Sequence, residues 1–190
     1  MNLAAYQRLI VGYHGCDASV AKKAIEKGEA LLPSEKDYDW LGSEIYFWEH
    51  GPDRALAWAK QRCSQGKLKN PAVVGALIQL GNCFDLLDTR YTGILAPAFE
   101  ELQKRLKFDG RDLPRNHGGD DLLRRDRDCM LLNWLLPQLE KEAGSQRFQT
   151  VRGMFQEGGA AFEGSGIRFK SHIQIAVRDP SCIIGYFRPA

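Results

Sequence analysis

The chain has 190 residues, 44% of them hydrophobic, enough to bury the core of one ordinary globular domain without metals or disulfide staples. Its 26 basic residues nearly balance 24 acidic ones, so no global field drives it onto nucleic acid or an acidic membrane, although a nucleic-acid target is neither implied nor excluded. No apolar run approaches the roughly 20 residues of a membrane helix, and Gln7 and Arg8 interrupt the short N-terminal apolar stretch, so the expected location is cytoplasmic with no membrane partner.

Leu9-Ile10-Val11 is apolar and largely β-branched, which predicts a buried strand ending at Gly12 and delivering Tyr13 and His14 to its C-terminal edge. A helix follows, with Asp17 as N-cap, Val20, Ala21, Ala24 and Ile25 on one face, and Gly28 as the stop. From Leu32 to Ser43 the composition is that of a loop, yet it holds Tyr38, Trp40 and Leu41, and a loop with large aromatics is expected to cover something. Ile45 to Trp48 reads as a short strand. Gly51-Pro52 then starts a second helix, with Ala55, Trp58, Ala59 and Arg62 on one face.

Val73 to Leu80 and Cys83 to Leu87 predict two more strands, with Gly81-Asn82 between them compatible with a tight hairpin. Two helical stretches come next, Leu95 to Leu106 and Asp121 to Glu142, the second expected to kink or split at Pro137. The charge run Arg124-Arg125-Asp126-Arg127-Asp128 reads as a solvated helix face. Strands are expected again at Thr150 to Phe155, Ile173 to Val177 and Ile183 to Phe187, with a glycine-rich loop from Gly158 to Gly166. There is no internal repeat or linker. The whole is one α+β domain, 1–190, with strands at both ends.

The five cysteines, Cys16, Cys63, Cys83, Cys129 and Cys182, are odd in number and form no Cys-x-x-Cys pair, so neither a metal site nor a disulfide framework is expected. Cys16 stands apart because it follows His14-Gly15, within reach of any pocket built there. Taken singly, His14, Tyr46 and Trp58 each have an ordinary structural reading. It is their order that points to a function.

Strand-His14-Gly15-helix, then Gly42-Ser43-Glu44-Ile45-Tyr46-Phe47, then a helix with Ala55 and Trp58, then a late strand carrying Gln174, resembles the ADP-ribosyltransferase superfamily. The resemblance is to the His-Tyr-Glu branch, which includes poly(ADP-ribose) polymerases and related bacterial mono-ADP-ribosyltransferase toxins. It implies a split, mainly antiparallel β-sheet flanked by helices, and NAD as co-substrate with no metal. His14 and Gly15 would hold the dinucleotide, and Tyr46 would stack on the nicotinamide ring with Ala55 and Trp58 on its other face. Glu44 departs from the pattern, standing where the family often has glycine. So does Gln174, which occupies the position of the catalytic glutamate: it keeps a hydrogen bond to the ribose but brings no negative charge and no base.

Glu157, beside the glycine loop, is a candidate to supply the missing carboxylate, and His172 shares a strand face with Gln174. The resemblance implies a mono-ADP-ribosyltransferase acting on a macromolecular acceptor, protein or nucleic acid, and suits an intracellular toxin or defence effector with an antitoxin or immunity partner. The same residues leave open an NAD glycohydrolase and an inactive module that binds NAD or ADP-ribose.

Overall fold

A computed structural model describes residues 6–142 and 147–190; residues 1–5 and 143–146 of the expected 1–190 domain lie outside the described residues. In chain order the elements are β1 (Tyr6–Asp17), α1 (Ala18–Lys27), β2 (Ile45–Glu49), α2 (Pro52–Ser64), β3 (Pro71–Gly81), β4 (Cys83–Asp85), the single-turn α3 (Thr89–Thr92), α4 (Leu95–Phe108), α5 (Asp126–Glu142), β5 (Thr150–Phe155), β6 (His172–Val177) and β7 (Ile183–Phe187). The seven strands form one sheet in the order β4-β5-β6-β2-β1-β3-β7, antiparallel at every contact except the parallel β4–β5 pair. The fold is mixed α/β with a mostly antiparallel sheet. None of its described helices is long and apolar enough to cross a membrane.

Period-2 alternation splits the strand residues between two cores. One face buries Ile10, Phe47, Val74, Ile78 and Ile175 together with Ala21 and Ala24 of α1. The other face buries Val151, Phe155 and Ala176 under Trp40 and Leu41 of the 32–43 loop, Ala98 of α4 and Leu132, Leu135 and Leu136 of α5. The caps fall where side-chain chemistry puts them. Asp17 accepts the Ser19 N–H at the start of α1, and Gly28 closes that helix at φ 66°, a left-handed value that suits glycine.

The sheet opens between β1 and β2. These strands meet at Gly12–Glu49 and Tyr13–Trp48, after which β1 continues with β3 as far as Asp17–Pro71 while β2 continues with β6. The expected end of the first strand at Gly12 is therefore corrected: β1 runs on through His14 and Gly15, because β3 supplies an unbroken ladder of partners.

Three further expectations change. Gly81-Asn82 makes no hairpin, since β3 is already flanked by β1 and β7 and β4 has to find its partner in β5 at the far edge. Asn82 directs that crossing, its backbone and side chain bonded to the 147–149 segment. α5 is a single helix that contains Pro137 without splitting, and it begins at Asp126 rather than Asp121. Ahead of it, Asn116 Oδ1 accepts the N–H of Arg127, and residues 117 and 124 form an isolated bridge.

Candidate functional site

The place where β1 and β2 part company becomes a cleft of about 1040 Å³, at the upper end of the range for small-molecule sites. Its floor is the β2–β6 surface, where Trp48 pairs with Gln174 and Tyr46 with Ala176, so that Tyr46, Trp48, His172 and Gln174 all point to one side. α2 forms one wall with Arg54, Ala57 and Trp58. The 32–40 loop forms the opposite wall, and Leu123 and Arg124 reach in from the approach to α5.

His14 sits in the gap itself. Its Nδ1 lies 2.8 Å from the carbonyl oxygen of Tyr46. A carbonyl can only accept, so Nδ1 carries the proton and Nε2 is left as an acceptor for a hydroxyl in the cleft. Burial holds the imidazole below its usual pKa and keeps it neutral. Gly15 is required by packing, since a Cβ there would lie 2.3 Å from the Ala55 carbonyl oxygen and 3.2 Å from Trp58 Cε3. The missing side chain lets α2 settle on β1 and brings Trp58 to the cleft. Ala55, fully buried in that contact, lies behind the wall and presents no side chain to the cleft.

Tyr46 is tied at its far end. Its hydroxyl donates to the Gly42 carbonyl and accepts the Leu41 N–H, both at 2.8 Å, and burial pushes its pKa well above the usual value. The sequence pattern pairs Tyr46 with Trp58; in the structure the aromatic neighbour of Trp58 is Trp48, with ring centroids 5.9 Å apart, and Arg62 lies over the Trp58 ring. Glu44, the residue that departs from the family pattern, pairs with Arg178, which also binds Glu140 of α5. That network fixes the end of β6 beside β2 and makes no use of the family's glycine.

Gln174 is oriented by Trp40. The indole Nε1 donates to Oε1 of Gln174 at 2.6 Å, and because an indole N–H can only donate, the amide NH₂ is the end presented to the cleft. Trp40 reaches it by lying on Gly153, where a Cβ would come within 2.6 Å of the ring, and by packing edge-on against Phe155. The loop predicted to cover something thus covers the β5–β6 surface and sets the rotamer of Gln174.

Glu157 and His172 are brought together. Glu157 makes a 2.6 Å ion pair with Arg54, and the same carboxylate oxygen lies 4.0 Å from His172 Nδ1. His172 Nδ1 is bonded to the Lys170 carbonyl at 2.8 Å, and its ring is stacked on Phe155. Three buried polar atoms here have no hydrogen-bond partner among the described residues: Trp48 Nε1, Arg54 Nε and His172 Nε2. Buried donors and acceptors left unmet mark a place shaped for a polar ligand.

Several of these residues carry no sequence signal. The charge run at the start of α5 is the expected solvated face only in part: Arg124 is exposed and pairs with Asp126 at 3.8 Å, but its guanidinium also lies over Tyr38 at 4.3 Å, and Arg125 lies over Phe155 at 3.9 Å, because the aromatic loop and β5 offer them π faces. Arg54 and Trp48 stand outside the family pattern, although Trp48 lies two positions after Tyr46 on the same strand and period-2 alternation alone puts it on the same face. Cys16 is excluded from the cleft. It is buried in the core on the α1 side, where desolvation pushes its thiol up to about 11. Among the described residues no three His, Cys, Asp or Glu side chains are grouped as metal ligands would be.

The chain is similar to an uncharacterized protein of Methanocaldococcus jannaschii, 28% identical over 201 residues that span 95% of this chain and 87% of the relative. No family model matches the chain, and no solved structure matches it.

Proposed function

We propose that this protein is an NAD-dependent mono-ADP-ribosyltransferase with the fold of that superfamily, transferring ADP-ribose to a macromolecular acceptor. The observation that supports this best is the convergence of His14, Tyr46 and Gln174, which span 160 positions of sequence, on one cleft at the opening between β1 and β2. The residues suit the dinucleotide. His14 Nε2 accepts a ribose hydroxyl, Tyr46, Trp48 and Trp58 provide aromatic surface for a flat cationic ring, and the Gln174 amide donates to the second ribose. NAD itself supplies the activated ribose, whose bond to a pyridinium leaving group is ready to break. The protein orients it, excludes water from the floor of the cleft and secures the hydroxyls.

Incubation with radiolabelled NAD in lysate, before and after nuclease or protease treatment, tests activity and acceptor together. We expect nicotinamide release with label retained on one macromolecule. His14→Ala should abolish release in a folded protein, and full activity in that variant would sink the reading. Release without retained label would instead make the protein an NAD glycohydrolase. NAD binding without release would make it a binding module. An intracellular toxin or defence role, with an antitoxin or immunity partner, is part of the proposal; harmless high-level expression of an active protein would count against it.

A further inference from the structure

Transfer to an acceptor needs a group that takes the acceptor's proton, and the amide of Gln174 cannot do so. The inner corner of the cleft holds a side chain that can. His172 Nδ1 lies 2.8 Å from the Lys170 carbonyl oxygen, which fixes the proton on Nδ1 and leaves Nε2 as a lone-pair acceptor. Nε2 is buried and has no partner among the described residues, in a side chain only 7% exposed. The ring cannot swing away to find one. Phe155 is stacked on it with planes 11° apart and centroids at 5.5 Å, and Trp48 stands at 6.2 Å. Beside this acceptor, Trp48 Nε1 and Arg54 Nε are donors, equally buried and equally unmet.

We propose that these three atoms form the acceptor subsite and that His172 is the general base of the transfer, an inference that rests on the transferase reading above. The acceptor's O–H or N–H bond breaks and its proton goes to His172 Nε2, while its heavy atom bonds to the ribose carbon. The bond from that carbon to nicotinamide breaks, and its electron pair leaves on the ring nitrogen, neutralising the pyridinium. Trp48 Nε1 and Arg54 Nε, both donors, position the acceptor through its other polar atoms and leave the nucleophile a free lone pair for attack.

The charges around the corner select the acceptor. Arg54 from α2, Arg125 just before α5 and Glu157 after β5 lie around the imidazole, and Arg54 already satisfies Glu157 at 2.6 Å. The surplus is positive, so the subsite suits an uncharged hydroxyl or amino nucleophile over a guanidinium or ammonium. Burial, with Arg54 and Arg125 nearby, also holds His172 below the usual 6.5, the direction that keeps a base free at neutral pH.

The test compares wild type with His172→Gln and His172→Ala, using labelled NAD and lysate as acceptor source and agmatine as a guanidinium probe. Wild-type kcat/KM for transfer should hold near neutral pH and fall in acid as His172, held below 6.5, takes up its proton. In His172→Gln transfer should drop about 100-fold with NAD affinity kept, and the part of the acid limb that belongs to His172 should vanish, whereas any part due to His14 persists in both proteins. Added imidazole should restore His172→Ala. Transfer by His172→Gln at the wild-type rate with an unchanged pH profile, or loss of its NAD binding, would overturn the base while leaving the transferase reading intact. Efficient labelling of agmatine would overturn the acceptor class. Absence of nicotinamide release from wild type would overturn the transferase reading and this inference with it.

Discussion

At the scale of single residues, the cleft turns on which atom of a side chain faces inward. Trp40 takes the carbonyl of Gln174, so the position offers donors only. A glutamate here would still accept the indole N–H with one oxygen and turn the other, with its charge, toward the ribose. We therefore predict that Gln174→Glu raises the rate of nicotinamide release at least tenfold, which requires only about 1.4 kcal/mol of added stabilisation of the cationic transition state. Single-turnover release assays would measure it. An unchanged or lower rate would mean that the amide is itself matched to the reaction. His14 obeys the same logic: a main-chain carbonyl fixes its tautomer before any ligand arrives.

At the scale of elements, the packing that holds the cleft open comes from the opposite face of the sheet. Arg152 of β5 binds both oxygens of Glu49 on β2, at 2.6 and 3.1 Å, and Asp85 on β4 at 3.0 Å, with all three side chains at 9% exposure or less. Glu49 lies one residue beyond Trp48, so this triad anchors the end of β2 that carries the cleft floor. Arg152→Met should cost about 3–5 kcal/mol, because it leaves two buried carboxylates unpaired. Urea denaturation would measure the loss, and a change below about 1 kcal/mol would show that the carboxylates find water or other partners. The aromatic loop and α5 do comparable work on the cleft side: Asn133 of α5 accepts the Ser43 N–H, and Cys129 packs near Lys36.

At the scale of the whole molecule, two buried neutral histidines tie stability to pH. His14 and His172 both have native pKa values below 6.5, the value they regain on unfolding, so between the two the unfolded chain binds more protons. Their contribution is complete above 6.5 and is lost as pH falls through that window. The urea midpoint should drop from about pH 7 to about pH 5, and His14→Gln should flatten that slope. The comparison is made between two proteins, which cancels the opposing effect of Asp39 and Glu44, whose carboxyls burial raises. Identical slopes would mean that His14 takes up its proton as readily in the native state as in the unfolded chain.

Local chemistry made much of this legible from sequence. Apolar β-branched runs marked the strands, Asp17, Gly28 and Pro52 marked helix ends, and the loop rich in aromatics does cover a surface. These are short-range properties of the chain, governed by backbone sterics and capping bonds. What sequence could not reveal depends on partners far away. β4 crosses to β5 because the neighbours of β3 are taken, Arg125 turns inward because Trp40 and Phe155 offer it faces, and Trp58 meets Trp48 rather than Tyr46. Local sterics and side-chain periodicity set which elements form and which residues of β1, β2 and β6 carry polar groups; which of those groups are left buried and unmet is set by packing, because it depends on contacts between segments that the chain order keeps apart.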